Sequence, residues 1–149
     1  MPIHRKIKIK RVLLASDHAG IELKEVIKKF LIKKRKKILD LGTKNTNPVD
    51  YPDFAHLLSK KIKKNGNQLG ILVCGTGIGM DMAANRHKNI RAALCYDTKS
   101  TKLSRQHNNA NVMTLGARLI KKKVALKCVG IFIKTDFKGG RHLRRVNKI

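Results

Sequence analysis

A chain of 149 residues is long enough to bury a real core and short enough to be one domain. Lysine and arginine number 35 against nine acids, a formal net charge of +26, yet aromatics are only 4% and tryptophan is absent, so no stacking platform for nucleic-acid bases is present. No apolar run approaches the roughly 20 residues of a membrane span, and Cys74, Cys95 and Cys128 have neither metal-ligand nor paired spacing, which predicts reduced thiols, no bound metal and a cytoplasmic location.

The positive charge is distributed. Lysines recur over 6–10, 24–37, 60–64 and 121–127, on the outer faces of predicted helices. That spread predicts a solvated surface that steers anionic substrates inward, with no specific nucleic-acid partner. Residues 1–10 form a basic N-terminal extension without the apolar segment of a secretory signal.

Residues 11–149 then alternate strand and helix. Arg11–Ser16 is a buried strand ending in Asp17-His18-Ala19-Gly20, and a helix follows with Leu23, Val26, Ile27, Phe30 and Leu31 on one face. A second strand spans Lys37–Gly42. The polar loop 43–50 leads into a second helix from Tyr51-Pro52, with Phe54, Leu57, Leu58 and Ile62 inward. Leu69–Val73 is a third strand, and a helix begins after its loop at Asp81. Ile90–Cys95 is a fourth strand, 98–106 a short helix, Asn111–Leu115 a fifth strand, and 119–134 a last helix. The pattern predicts an α/β domain, a three-layer αβα sandwich around a five-stranded parallel sheet of Rossmann-like type. The tail, 138–149, carries a glycine turn and an arginine cluster but little core, and is expected over the active face or against a partner subunit.

Chemistry concentrates after the third strand, in Cys74-Gly75-Thr76-Gly77-Ile78-Gly79. Backbone N–H groups at a loop-to-helix junction lack intrahelical partners and favour an anion. The spacing fits neither a dinucleotide fingerprint nor a P-loop. A cysteine at the strand tip is available there as base or nucleophile, although a buried strand cysteine is the commoner case. Asp17, His18 and Tyr51 fall on the same strand edge, where ligands of open α/β sheets bind. Asp17 also suits a helix cap, His18 a capping imidazole, and Tyr51 simple packing on its own helix. His107-Asn108 precedes the fifth strand, at the opposite edge. It is therefore either unconnected with Cys74 or serves a neighbouring subunit. Arg118, Arg141 and Arg145 stand out from the lysines because a guanidinium grips phosphate bidentately.

These residues carry a resemblance. Ser16-Asp17-His18-Ala19-Gly20, Asp50-Tyr51-Pro52-Asp53, Cys74 through Gly79, Ser104-Arg105-Gln106-His107-Asn108-Asn109-Ala110-Asn111-Val112, and Gly139-Gly140-Arg141-His142 through Arg145-Val146 are similar to the ribose-5-phosphate isomerase B family, which also includes allose- and galactose-6-phosphate isomerases. The resemblance implies a cofactor-free aldose–ketose isomerase of the non-oxidative pentose phosphate pathway, acting on ribose 5-phosphate through an enediolate. It implies Cys74 as proton acceptor and His107 as proton donor in ring opening. Asp17, His18, Tyr51, Gly75, Thr76, Gly77, Ile78, Gly79, Asn108, Arg118, Arg141 and Arg145 would bind substrate, the arginines on its phosphate. It implies a homodimer, or a dimer of dimers, with active sites shared between subunits. Cysteine at 74 with methionine at 80 fits the cysteine-base branch rather than the one with glutamate at that second position. The alternatives are an isomerase of a 6-phosphorylated hexose and, more distantly, a basic nucleic-acid-binding protein.

Overall fold

The computed structural model describes residues 8–64 and 66–149. In chain order they form β1 (Arg11–Ser16), α1 (Ile21–Lys33), β2 (Lys37–Asp40), α2 (Tyr51–Lys61), β3 (Gln68–Cys74), α3 (Ile78–Ala84), β4 (Ala92–Leu94), α4 (Thr98–Asn108), β5 (Val112–Gly116), α5 (Lys122–Lys134) and α6 (Arg141–Val146). The strands pair in the order β2-β1-β3-β5-β4, and every pair is parallel. The expected three-layer α/β architecture is therefore present.

Helices cover both faces because every crossover between parallel strands must return over the sheet. Leu23, Ile27 and Leu31 of α1 meet Ala125, Cys128, Val129 and Phe132 of α5 over one face, on Val12, Leu14, Ile71 and Val73. Ala55 and Leu58 of α2, with Met80 and Ala84 of α3, cover the other, on Leu13, Leu72 and Val112. β3 lies at the centre and all seven of its residues are buried. Each fully buried Leu or Ile in such a core contributes about 1.5–3 kcal/mol.

Several boundaries differ from the sequence-based expectation, each for a local reason. α3 begins at Ile78 rather than Asp81, because Gly77 takes φ +78° and caps the helix. β4 keeps only three residues of 90–95, since Arg91 N–H is taken by the Asn111 side chain at 2.8 Å instead of a ladder partner. α5 starts at Lys122, after a turn in which the Leu119 and Ile120 N–H groups both reach Gly116 O at 3.0 Å. Leu57 is 38% exposed, on the outer side of α2. The extension expected over 1–10 lies outside the described residues through 7. Ile9 already joins the core, and Lys10 N–H donates to Asn67 O at 2.8 Å.

Lys24 is the least expected core residue. It is 1% exposed inside the apolar stripe of α1, with its ammonium 2.7 Å from Asp40 Oδ1 and 2.9 Å from Thr43 O. For the tail, only the first of the two expected placements is excluded within the chain, and contact with a partner subunit stays open. The tail's arginines sit on a sixth helix, which packs on α4 rather than over the carboxyl edge of its own sheet.

Candidate active site

Chain order reverses direction across the sheet between β1 and β3, and the crevice beyond that point is the natural ligand site of an open α/β sheet. A cavity of about 470 Å³ opens there. Asp17 and His18 line it after β1, Tyr51 at the start of α2, Cys74, Gly75, Thr76, Ile78 and Gly79 after β3, and Arg118 after β5. Nine expected residues thus meet in one space, and Ala19 and Met82 join them. Neither had a sequence signal beyond its position beside a motif.

Cys74 is 4% exposed, and its Sγ accepts the Gly77 N–H at 3.1 Å. That bond requires the chain to double back within three residues, which Gly77 permits by its left-handed conformation. A side chain at 77 would meet Leu115 C at 2.8 Å. Ile78 N–H is taken by the Thr76 hydroxyl at 3.3 Å. Among the described residues the N–H groups of Gly75, Thr76 and Gly79 meet no protein acceptor. Of the amides 75–79 expected to cradle an anion, those three are therefore uncommitted, while the Gly77 and Ile78 N–H groups are taken within the loop. The other two cysteines offer no comparable group: burial pushes the Cys95 thiol up to about 12, and burial also raises Cys128.

The walls are fixed by close contacts. Gly79 needs no side chain because the Tyr51 ring lies over it, with the phenol oxygen 2.7 Å from where a Cβ would stand. Tyr51 thus faces the cavity while also packing on the neighbouring helix. Arg118 lies along Gly75, with its N–H bonded to Gly75 O at 3.0 Å and its guanidinium exposed. Asp17 is buried and its Oδ1 accepts the Gly20 N–H at 3.0 Å, so it closes the turn before α1 while lining the cavity, and the helix N-cap itself is Gly20. His18 Nδ1 accepts the Val49 N–H at 3.2 Å, which leaves Nε2 as the protonated nitrogen of the neutral ring. Asp81, on the first turn of α3, accepts from the Thr114 hydroxyl at 3.0 Å, and burial holds its carboxyl above the usual range.

His107, Asn108, Arg141 and Arg145 are not part of this cavity. Gly70 pairs with Val112 and Cys74 with Gly116, so His107 lies at the amino edge, across strands about 13 Å long. There the His107 ring stacks on His142, with centroids 4.1 Å apart and 12° between planes. Arg141 and Arg145 flank the pair on α6, both exposed. The end of α4 is braced by Arg105, whose side chain donates to Ala110 O and to Thr135 O, the latter at 3.1 Å, with its guanidinium over the Phe132 ring. The chain therefore carries two separate groups, a thiol beside three uncommitted amides and an imidazole with arginines nearby. Among the described residues no group of three or more His, Cys, Asp or Glu is placed to hold a metal ion.

Residues 12–149 match the family profile described as Ribose/Galactose Isomerase. The chain is 46% identical over 139 residues to a probable ribose-5-phosphate isomerase B of Mycoplasma pneumoniae, covering 93% of this chain and 91% of that one. It is 36% identical to the ribose-5-phosphate isomerase B of Escherichia coli, over 95% of each. Among solved structures, ribose-5-phosphate isomerase B from Mycoplasma genitalium with bound ribulose-5-phosphate superposes with a TM-score of 0.89 at 46% identity, covering 93% of this chain and 92% of that one.

Proposed function

The chain belongs to the ribose/galactose isomerase family and is an aldose–ketose isomerase; on that footing we propose that it interconverts D-ribose 5-phosphate and D-ribulose 5-phosphate through an enediolate, without a cofactor. The observation that carries the mechanism is a strand-tip thiol opening on a cavity beside three uncommitted backbone amides. Proton removal next to a carbonyl needs a base and an oxyanion cradle side by side, and this loop offers both.

The reaction begins on the furanose. His107 gives a proton to the ring oxygen as its bond to C1 breaks, and the C1 hydroxyl gives its proton to solvent water, from which His107 is reprotonated, to leave the aldehyde. Cys74, as thiolate, takes the proton from C2, and its electron pair forms the C1–C2 double bond while the carbonyl pair moves onto O1. The amides of Gly75, Thr76 and Gly79 hold that negative oxygen. The O2 hydroxyl proton passes to O1, the pair on O2 re-forms a carbonyl, and C1 takes the proton from Cys74. One hydrogen has moved from C2 to C1 and one from O2 to O1. Asp17, His18 and Tyr51 orient the sugar, Asn108 completes the wall, and Arg118, Arg141 and Arg145 bind the phosphate.

His107 reaches Cys74 only from another copy of the chain, so the working unit is a homodimer with shared sites. The exposed Ile78, Met82, Tyr96 and Leu119 around the carboxyl edge support such an interface. A cytoplasmic location accords with three cysteines that form no disulfide, and no described helix is long and apolar enough to cross a membrane.

Comparing kcat/KM for ribose 5-phosphate and for allose 6-phosphate tests the substrate. A ratio of about 100 or more in favour of the pentose is expected, since a cavity shaped to one hydroxylated chain rejects misplaced hydroxyls. A preference for the hexose overturns the assignment while leaving the isomerase mechanism in place.

A further inference from the structure

His107 presents a problem that the family assignment does not address. A general acid must hold its ring in one orientation, yet among the described residues neither nitrogen of His107 has a hydrogen-bond partner. Only the face of the ring is held. The surface holding it is the imidazole of His142, parallel within 12° and 4.1 Å away between centroids.

The backbone is built to deliver that second ring. Lys138 N–H donates to Gln106 O at 3.0 Å, tying the tail to the last turn of α4 one residue before His107. Gly139 and Gly140 then turn through φ +64° and +55°, and α6 starts at once, with His142 N–H returning to Gly139 O at 3.1 Å. His142 is thereby placed over His107 by backbone bonds on both sides of the contact. Arg141 and Arg145 project from the same short helix.

We propose that His142 is a positioning residue for His107: a stacked imidazole that fixes the plane of the proton donor and leaves both its nitrogens open to substrate. The inference rests on the reading of His107 as the ring-opening acid. Two charged rings would repel face to face, but desolvation and the nearby His107, Arg141, Arg145 and Lys138 hold His142 below the usual imidazole range. Lowered in this way, the supporting ring is driven toward its neutral form, which stacks without repulsion. Stacking of this kind is sequence-tolerant in chemistry but not in shape, so another flat ring would serve.

The test separates ring opening from proton abstraction. Turnover of ribose 5-phosphate requires both steps. Deuterium wash-in from heavy water to C1 of ribulose 5-phosphate, which has no furanose form, requires only abstraction by the strand-tip base. His142→Ala is expected to lower kcat for ribose 5-phosphate by about three- to tenfold, the range of an aromatic stack. Wash-in should stay within about twofold, and His142→Phe should restore kcat to within about twofold of the parent. A His142→Phe variant as impaired as His142→Ala would overturn the proposal, because the imidazole nitrogens and not the ring plane would then matter. An unchanged kcat in His142→Ala, or wash-in that falls in step with turnover, overturns it as well. His107→Ala, measured alongside, tests the underlying reading: it should lose turnover and keep wash-in. If it loses neither or both, the assignment of His107 itself is wrong. If it behaves as expected while His142→Ala does not, the positioning role alone fails.

Discussion

The two edges of the sheet present different materials for the two tasks proposed for them. At the carboxyl edge the candidate groups are mostly backbone: three amides with no acceptor among the described residues, a sulfur held by a fourth, and glycines where a side chain would collide with Leu115 or Tyr51. At the amino edge they are side chains on helix ends, an imidazole pair and two exposed guanidinium groups that make no ion pair among the described residues. The difference matches what each would bind in the proposed reaction. Charge developing on one oxygen during the reaction needs donors that do not move, and backbone amides cannot reorient. A phosphate dianion is already charged before it arrives, and solvated arginine forks that adapt to it suffice.

The sharpest way to break this contrast is to remove the sulfur. Cys74→Ala takes away the base but none of the amides, so turnover of ribose 5-phosphate should fall by about 10²- to 10⁴-fold, the usual contribution of a positioned base. Thermal unfolding should shift by only a few degrees, since the residue lost is small. Near-normal turnover in a folded Cys74→Ala protein would mean that the amide edge works without its thiol and that the base lies elsewhere.

The next largest effect asks whether the two edges belong to one site. Cys74→Ala and His107→Ala proteins should each be inactive. Mixed under conditions of subunit exchange, they form heterodimers in which one site has lost both groups and the other has both intact. Random exchange then restores about one quarter of the parent activity. Exchange demonstrated by mass, with no recovery, would show that the two groups never meet.

The same contrast explains how much of the molecule was legible in the sequence. Buried strands and glycine-rich turns leave local signals, so the sheet, the β3 loop and the cluster of Asp17, His18, Tyr51 and Cys74 could be placed from periodicity and chain order. Helix and strand ends depart from the periodicity where a single side chain or turn decides them, as with Gly77 capping α3 and Asn111 intercepting the N–H of Arg91. The role of Leu57 was lost because an exposed leucine satisfies helical spacing as well as a buried one. At the amino edge the sequence showed unusual residues without a geometry. The stack of His107 on His142 links positions 35 apart through a turn whose shape depends on Gly139 and Gly140, and no periodicity reports such a contact. Lys24 was invisible for the opposite reason: its partner Asp40 lies on another element, and a lysine in an apolar stripe reads as a surface residue.

Lys24 and Asp40 also provide the smallest and most specific test, because they support the carboxyl edge alone. Asp40 Oδ1 receives the Lys24 ammonium at 2.7 Å and the Gly42 N–H at 3.0 Å, and Oδ2 receives Lys28 at 3.0 Å. Lys24 also holds Thr43 O at 2.9 Å, at the head of the loop from which Val49 N–H reaches His18. Burial on its own would raise the Asp40 carboxyl, but Lys24, the Gly42 N–H and Lys28 outweigh it and hold the group below the usual carboxylate range. A carboxyl whose folded value lies below its unfolded value of about 3.9 stabilises the fold when ionised. That contribution is complete above the unfolded value and disappears as pH falls through the folded one. Asp40→Asn, which leaves the buried Lys24 ammonium without its counter-charge, should therefore be less stable than the parent by on the order of 2 kcal/mol at pH 7. The gap should close only below about pH 4, as the parent's own carboxylate is protonated. The variant should also lose a few-fold in kcat/KM through the loosened loop behind His18, while the complementing function of its amino edge in mixed dimers stays intact. A stability gap that is flat from pH 7 to pH 3 would show that the carboxylate's charge is not what holds Lys24 inside, and that the loop behind His18 is supported by packing alone.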